Sequence, residues 1–435
     1  MAAFQVKGDR HAQTATRRLS PLTIALVFVA ASVFAQDPLD GRPILAVHVS
    51  GLSHIKEDVV LAQIESAPGR PYDHTAADRD LVRLDRLGVF SDISLTASPS
   101  GEGVQVEVTL TETLRILPSV SVAVTDENGA SAGPAVKMLS IGGRPHEISA
   151  TTRFGGETLA EFNEVSPLLR DRRLWHSAKL SLRDRFNKLD EFDERSVDLD
   201  ARLGLRQSEQ WKSGAMFQVY RVGSDQDGIT LSPDNHDTFV SLGGVTEYDT
   251  RDLWREPSRG WWNSVDALWR TGSGGYATLD VDVRRYQPVA SRQTIVGTTL
   301  LTLQSGTQGV EVPTYADYAL GGENTVRGHG FGAERGKNQF INTLEYRYTA
   351  VPTRSFRVFG LNFYGGLAVA VFGDLGTAWD DPDGFSDGFI GGGGIGLRLF
   401  LPYVNMIRLD LSVGSGVHAG LGINEKAVAQ RNRVR

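Results

Sequence analysis

The arginine in Gly321-Gly322-Glu323-Asn324-Thr325-Val326-Arg327-Gly328-His329-Gly330-Phe331 is the residue whose setting most constrains its chemistry. Glycine lets a backbone turn tightly and lie close to a neighbouring wall. Arginine on such a loop offers a planar fork of donors that grips a carboxylate. The arrangement suits a clasp on an inward-facing acid, inside a membrane barrel that folds a loop into its own lumen. A solvated loop arginine is the plain alternative. Other candidates carry less. Gly391-Gly392-Gly393-Gly394-Ile395-Gly396 has the glycine density of a phosphate cradle, yet no Lys-Ser/Thr follows and no helix is predicted after it. Inner-wall glycines of a barrel account for it better. Asp380, Asp381 and Asp383 could hold calcium, but an acidic turn around Pro382-Asp383-Gly384 explains them more simply. The nine histidines show no metal-ligand spacing, no serine sits in a Gly-x-Ser-x-Gly elbow, and there is no cysteine. No catalytic residue, cofactor or metal is assigned, and no enzyme is expected.

The elements that must position such a loop begin after a leader. Lys7, Arg10, Arg17 and Arg18 precede a short apolar run from Leu22 to Ala35, and Val33-Phe34-Ala35 fits a small-residue cleavage site. Residues 1–35 therefore read as a signal peptide. Their loss removes four bases and one acid and takes the net charge from −7 to −10. No basic tract survives to suggest nucleic acid as a partner. No later run of about 20 apolar residues predicts a membrane helix, a test to which barrel strands are invisible.

Residues 36–112 read as a small domain whose ordered part, 43–112, runs strand, helix, helix, strand, strand. Leu45, Val47 and Val49 alternate with Ala46 and His48. Lys56 to Ser66 has a helical pattern with Val60, Leu61 and Ile64 on one face; Leu81, Leu84 and Leu87 mark a second helix that Gly88 ends. Val104, Val106, Val108 and Leu110 alternate with polar residues as a half-buried strand.

Residues 113–435 alternate without any long helix. Val197 to Leu205, Leu279 to Val283 and Ile407 to Val413 each put apolar residues on one face and charges of both signs on the other. A sandwich could use that pattern; a barrel would turn the apolar face to lipid and the charged face to a wet lumen. At roughly 20 residues per strand and turn, the length fits about 16 strands. Trp254, Trp261 and Trp262 near one turn suit an interfacial girdle or ordinary loop packing.

Several stretches carry a family resemblance. Gly51 after the first strand, Gly69 within Pro68-Gly69-Arg70-Pro71-Tyr72, and Gly88 and Phe90 within Leu87-Gly88-Val89-Phe90-Ser91-Asp92-Ile93 are the landmarks by which 43–112 resembles a POTRA domain. Asp249-Thr250-Arg251-Asp252 followed by Pro257-Ser258-Arg259-Gly260 is similar to a barrel segment of the Omp85 superfamily. The Val326-Arg327-Gly328-His329-Gly330 loop resembles that superfamily's signature. Leu344-Glu345-Tyr346-Arg347-Tyr348, Val371 to Gly376, Gly391 to Leu397 and Ile407-Arg408-Leu409-Asp410 follow in the family's order. Position 329 is histidine where the family has Phe or Tyr, and the chain ends in a polar, basic tail, Asn424 to Arg435, in place of a closing aromatic residue.

The resemblance implies an α+β POTRA module followed by an all-β transmembrane barrel of about 16 antiparallel strands, in the bacterial outer membrane with the module in the periplasm. It implies that Arg327 meets Asp374 on the wall, near Gly376, with Gly328 allowing the approach. Implied partners are the outer-membrane bilayer, unfolded barrel or secreted client polypeptides, and periplasmic accessory proteins. The implied activity is insertion or export of β-rich chains through a seam between a first strand near Leu114 to Asp126 and a last strand near Ser412 to Ile423. The module would capture extended clients by its strand edge, or serve only as a spacer or base for the barrel. A dedicated secretion pore and a passive channel or surface antigen are the competing readings.

Overall fold

The computed structural model describes residues 39–169, 173–252, 256–358, 361–386, 388–401 and 405–423. The signal-peptide stretch, Trp254 and the tail from Asn424 lie outside these residues.

The module consists of β1 (Ile44–Ser50), α1 (Glu57–Leu61), α2 (His74–Asp85), β2 (Phe90–Ser100) and β3 (Gly103–Glu112), in the expected order. β1 runs parallel to β3 and β2 antiparallel to it, giving the sheet order β1-β3-β2. Val104, Val106, Val108 and Leu110 turn into a core with Val60, Leu84 and Phe90. Gly51, Gly69 and Gly88 all take positive φ; at Gly51 a Cβ would also strike the carbonyl oxygen of Leu110.

Two local readings change. A register shift between Ile44 and Ala46 buries Ile44 and leaves Leu45 exposed, while Val47 and Val49 keep their place against the core. The first helix has five residues, not eleven, and presents Val59 and Val60 inward with Leu61 exposed. The cause lies on α2. Fully buried Asp80 accepts the backbone N–H groups of Glu65 (2.7 Å) and Ser66 (3.0 Å) and the Ser66 hydroxyl (2.7 Å), which takes that segment off the helical path.

The barrel begins with β4 (Ile116–Thr125), β5 (Gly129–Ile141), β6 (Arg144–Gly155), β7 (Glu157–Leu169) and β8 (Leu174–Asn187). It continues through β9 (Phe192–Arg206), β10 (Trp211–Ser224), β11 (His236–Asp249), β12 (Gly260–Gly272), β13 (Gly275–Ala290) and β14 (Gln293–Gln304). A long loop holds the short hairpin β15 (Tyr318–Leu320) and β16 (Glu334–Gly336). The wall resumes with β17 (Asn338–Val358), β18 (Leu361–Trp379), β19 (Ile390–Leu401), β20 (Asn405–Val413) and β21 (Val417–Ile423). All but β15 and β16 form one 16-stranded antiparallel sheet running from β4 to β21.

Alternation sets the two faces. On β9, Val197, Leu199, Leu203 and Leu205 point outward and exposed, while Asp198 and Asp200 are buried inside. The same holds for Leu279 against Asp280 and Asp282, and for Leu409 and Leu411 against Arg408 and Asp410. An apolar outer wall around a charged interior is the pattern of a membrane barrel. The tryptophans divide between the faces. Exposed Trp261 lies under Arg285 (4.9 Å) and half-buried Trp262 under Arg284 (4.7 Å), so only the first suits a girdle.

The final strand is shorter than the sequence suggested. Ser412 and Val413 close β20, Gly414 to Gly416 turn the chain, and β21 has seven residues. β4 and β21 stand at the two ends of the sheet, with no ladder between them among the described residues.

The module rests against one end of this barrel. The Lys56 N–H donates to the Gly143 carbonyl (3.0 Å) in the β5–β6 turn, and Leu139 of β5 joins the module's core. Arg83 of α2 pairs with Glu209 in the β9–β10 turn, and Arg86 donates to the carbonyls of Glu209 (3.4 Å) and Arg251 (3.3 Å).

Glu112, at the end of β3, holds the loop that touches Gly143. Its carboxylate accepts the N–H groups of Ser53 (2.8 Å), His54 (2.9 Å) and Ile55 (2.8 Å). Burial acts to raise its pKa, and these donors outweigh burial and leave it below the ordinary value of 4.5. A depressed carboxyl contributes stability that is complete above the unfolded value and lost as pH falls through the folded one. Glu112→Gln should therefore reduce hydrogen-exchange protection of residues 53–56, corrected for intrinsic rate, at neutral pH. The wild type should lose its advantage over this variant as pH drops below about 4.

Candidate functional site: a lumen loop clasped by the wall

The loop from 305 to 337 leaves β14 at the barrel end opposite the module and folds inward. Its base is fixed by Tyr315, whose hydroxyl donates to buried Asp237 (2.8 Å) among Phe192, Tyr220, Phe239 and Tyr276. Arg335 on β16 adds bonds to Asp317 (2.8 Å) and Asp190 (2.7 Å). At the tip the Gly322 N–H donates to the His329 carbonyl (2.8 Å) and the Thr325 hydroxyl to the Gly321 carbonyl (2.7 Å). These bonds project Arg327 into the lumen, where it is fully buried.

Arg327 is 0% exposed and is satisfied from three wall strands. Its Nε donates to Asp374 Oδ2 (2.7 Å) and its Nη2 to Asp374 Oδ1 (2.9 Å), a bidentate grip on β18. Its Nη1 donates to Asp410 on β20 (2.9 Å) and lies 3.7 Å from Glu345 on β17. Its own N–H also donates to Asp374 (3.1 Å), and its guanidinium sits 3.2 Å above the Phe372 ring. The acids are shared. Arg398 donates to Glu345 (2.9 Å) and to Asp410, Arg347 donates to Glu345 (2.6 Å), and Arg408 donates to Asp410 (3.4 Å). Four guanidinium groups and three carboxylates thus form one buried network. Thr343 adds a hydroxyl bond to Asp374 (2.9 Å).

Close approach requires an absence of side chains. A Cβ at Gly328 would stand 2.5 Å from the Val413 carbonyl carbon, and its φ is +86°. A Cβ at Gly376 would press on Val326 Cγ2 (2.8 Å), itself fully buried. A Cβ at Gly392 would strike the Arg327 carbonyl oxygen. The glycine run of β19 is therefore the surface on which the loop lies. His329 is half-buried and donates from Nε2 to the Gly391 carbonyl (2.8 Å), packed over Gly414. Gly330 is exposed with open space around it.

The loop also touches both ends of the sheet. The Glu323 N–H donates to Asp126 just beyond β4 (2.9 Å), and its side chain packs where Gly420 of β21 has none. In the β20–β21 turn the Gly416 N–H (3.3 Å) and the Ser415 hydroxyl (3.4 Å) donate to the Gly328 carbonyl.

The remaining motif residues lie elsewhere. Arg251 grips Asp249 through Nε (3.0 Å) and Nη2 (2.8 Å), and Asp252 accepts from the N–H groups of Ser258 (2.9 Å) and Arg259 (3.1 Å). With Pro257 buried and Gly260 against the Thr250 carbonyl, they build the β11–β12 turn under the module, away from the loop. Gly51, Gly69, Gly88 and Phe90 stay within the module. Sequence reasoning placed Glu345, Arg408 and Asp410 on wall strands without giving them partners, and it did not single out Arg398, one residue beyond the Gly391 to Leu397 stretch. Their inward parity was a usable signal, but which inward charges meet depends on cross-strand register.

A single α+β module ahead of a 16-stranded barrel, with an arginine loop clasped inside, defines an outer-membrane-type barrel protein with a built-in lumen lock. Comparison with known proteins agrees. The Omp85 superfamily domain matches residues 141–422, and the POTRA family, described as a surface antigen variable number repeat, matches 43–113. The chain belongs to the Omp85 superfamily. It is 34% identical over 76 residues to the outer membrane protein assembly factor BamA of Nitratidesulfovibrio vulgaris, a match spanning 18% of this chain and 10% of that protein. BamA from Haemophilus ducreyi lacking POTRA domains 1–3 shares the fold at a TM-score of 0.55 and 14% identity, over 88% of this chain and 83% of that one. CdiB from Escherichia coli aligns at 0.55 and 14%, over 88% and 75%.

Removing Arg327 leaves Asp374 and Asp410 buried with one cation fewer, so Arg327→Ala should cost about 3–5 kcal/mol in a denaturant titration of the folded barrel. Gly328→Ala should expel the tip and expose the loop to protease, whereas Gly330→Ala should leave both protease resistance and stability unchanged.

Proposed function

We propose that this protein inserts or exports β-rich polypeptides at the outer membrane, working at the junction of β4 and β21. The observation that carries the reading is the junction itself: two sheet ends that lie together without a ladder among the described residues, spanned by the lumen loop. Unpaired strand edges are templates for another chain's strand. A barrel whose first and last described strands share no ladder has that property built in. The lumen favours this reading over a passive channel, because the loop and its buried ion network occupy it.

The module, in the periplasm, would supply capture. The free edge of β2 has no second strand beside it among the described residues, while the start of β1 is covered by residues 69–72. An extended client could add to β2 by backbone pairing, and the docked module would hand it to the barrel. The name of the relative BamA, an outer membrane protein assembly factor, fits an assembly role; a dedicated export route for one client is the second form the same machinery can take.

Because the chain has no cysteine, a disulfide between one residue introduced on β4 and one on β21 would be unique. Oxidation should abolish client assembly and reduction should restore it, with conductance the same in both states. Equal assembly in both states would exclude the junction as the working site. Depletion in the native cell, with the outer-membrane proteome quantified, separates broad assembly (loss of many barrels) from dedicated export (loss of one species).

A further inference from the structure

His146 on β6, Glu164 on β7 and His176 on β8 bring three donor atoms together. The Nε2 atoms of both rings lie 2.9 Å from the same oxygen, Glu164 Oε1, and all three atoms fall within 4.8 Å of one another. The rings meet edge-on at 5.9 Å between centroids. In sequence the three are 18 and 12 residues apart, a spacing with no metal signature. Strand register creates the cluster. Glu147 pairs with Val165 and Ile148 with Glu164 on one side of β7, and Ser166 pairs with His176 on the other. Ser166 is thus the β7 residue in the row of the two histidines, and Glu164 is two residues along on the same face.

That face is the outer wall: Phe154, Phe162, Leu180 and Leu182 share the parity of the three residues and are exposed. The cluster sits at the barrel end nearest the module, where β6 and β8 begin and β7 ends. Its side chains are 20–28% exposed, enough for an ion to enter from the aqueous interface.

Two imidazoles and a carboxylate are the ligand set of zinc sites that keep one open position. With metal–ligand distances of about 2.0–2.2 Å, tetrahedral donors stand about 3.3 Å apart, so a slight spreading of the present contacts would seat an ion. In the metal-free arrangement both rings must turn an N–H onto one oxygen; His176 Nδ1 is buried without a hydrogen-bond partner. The missing outer partner on that ring weakens binding by about 10–100-fold relative to a site that has one.

We propose that His146, Glu164 and His176 form a divalent transition-metal site of the zinc type that staples β6, β7 and β8 on the outer wall. The full chain in detergent, stripped with chelator, would be titrated with Zn2+ against a chromophoric competitor and with Co2+ by visible absorption. One ion per chain is expected. His146→Ala, Glu164→Gln and His176→Ala should each weaken binding by about tenfold or more, given that loss of an outer partner alone costs that much. His236→Ala, on an exposed strand end outside the cluster, should bind as the wild type does. Unheated-gel mobility checks that each variant is folded. His176→Cys keeps a ligand and should add a thiolate-to-cobalt charge-transfer band, unique in a chain without cysteine. No saturable binding, equal weakening by His236→Ala, or no such band in folded His176→Cys would overturn the site.

Discussion

A guanidinium buried away from water must have its charge and donors met, and the wall around Arg327 is arranged to meet them. No single strand could do so. Asp374 comes from β18, Asp410 from β20 and Glu345 from β17, so the loop is held only when those strands are in register. The acids are then over-subscribed by Arg347, Arg398 and Arg408, which brings the cluster close to neutral. Close packing dictates the rest. Gly328, Gly376 and Gly392 leave room for backbone to meet backbone, and Phe372 offers its ring face to the cation. Ion pair and glycine surface require each other: without the glycines the arginine cannot reach the acids, and without the acids nothing compensates its burial.

How much of this was legible follows from the range of the interactions involved. The barrel and the two-layer module were readable because period-two alternation is local; Val197 to Leu205 and Val104 to Leu110 announce their faces residue by residue. The arginine loop was readable from its glycines. Long-range consequences were hidden. Nothing near Lys56 to Ser66 reveals that Asp80, on another helix, captures the N–H groups of Glu65 and Ser66 and shortens α1. Nothing at Leu45 announces the register shift that turns it outward. Ser412 continues an alternating pattern across Gly414 to Gly416, so the last strand looked longer than it is. For the same reason His146, Glu164 and His176 looked unrelated, since only the pairing of β6, β7 and β8 makes them neighbours.

The module's position gives the barrel two different ends. At one, Arg83 of α2, Arg86 just beyond it and the loop at Lys56 engage three separate turns of the wall. At the other, the loop enters and its aromatic base fills the interior around Tyr315. The contacts with the module combine backbone carbonyls, the buried Leu139 of β5 and a partly exposed pair, Arg83 with Glu209, which contributes little when solvated. The loop's contacts are buried and multidentate. The loop, with no water-exposed ion pair at its tip, is the more firmly anchored of the two.

That asymmetry bears on the junction of β4 and β21. A ladder along two seven- to ten-residue strands would bind them through many backbone hydrogen bonds, each net favourable by about 1 kcal/mol. Here the loop substitutes a few bonds at one end: Glu323 to Asp126 beyond β4, and Gly328 to Ser415 and Gly416 before β21. Parting the strands along their length then costs little, while their ends near the tip stay fixed to a loop that Arg327 secures. On the proposed function, such a hinge would open from the end nearest the module, the side from which a captured strand would arrive. On that reading, the buried clasp and the weak wall are parts of one arrangement, in which rigidity inside the lumen would confine movement to the place where an incoming strand would pair.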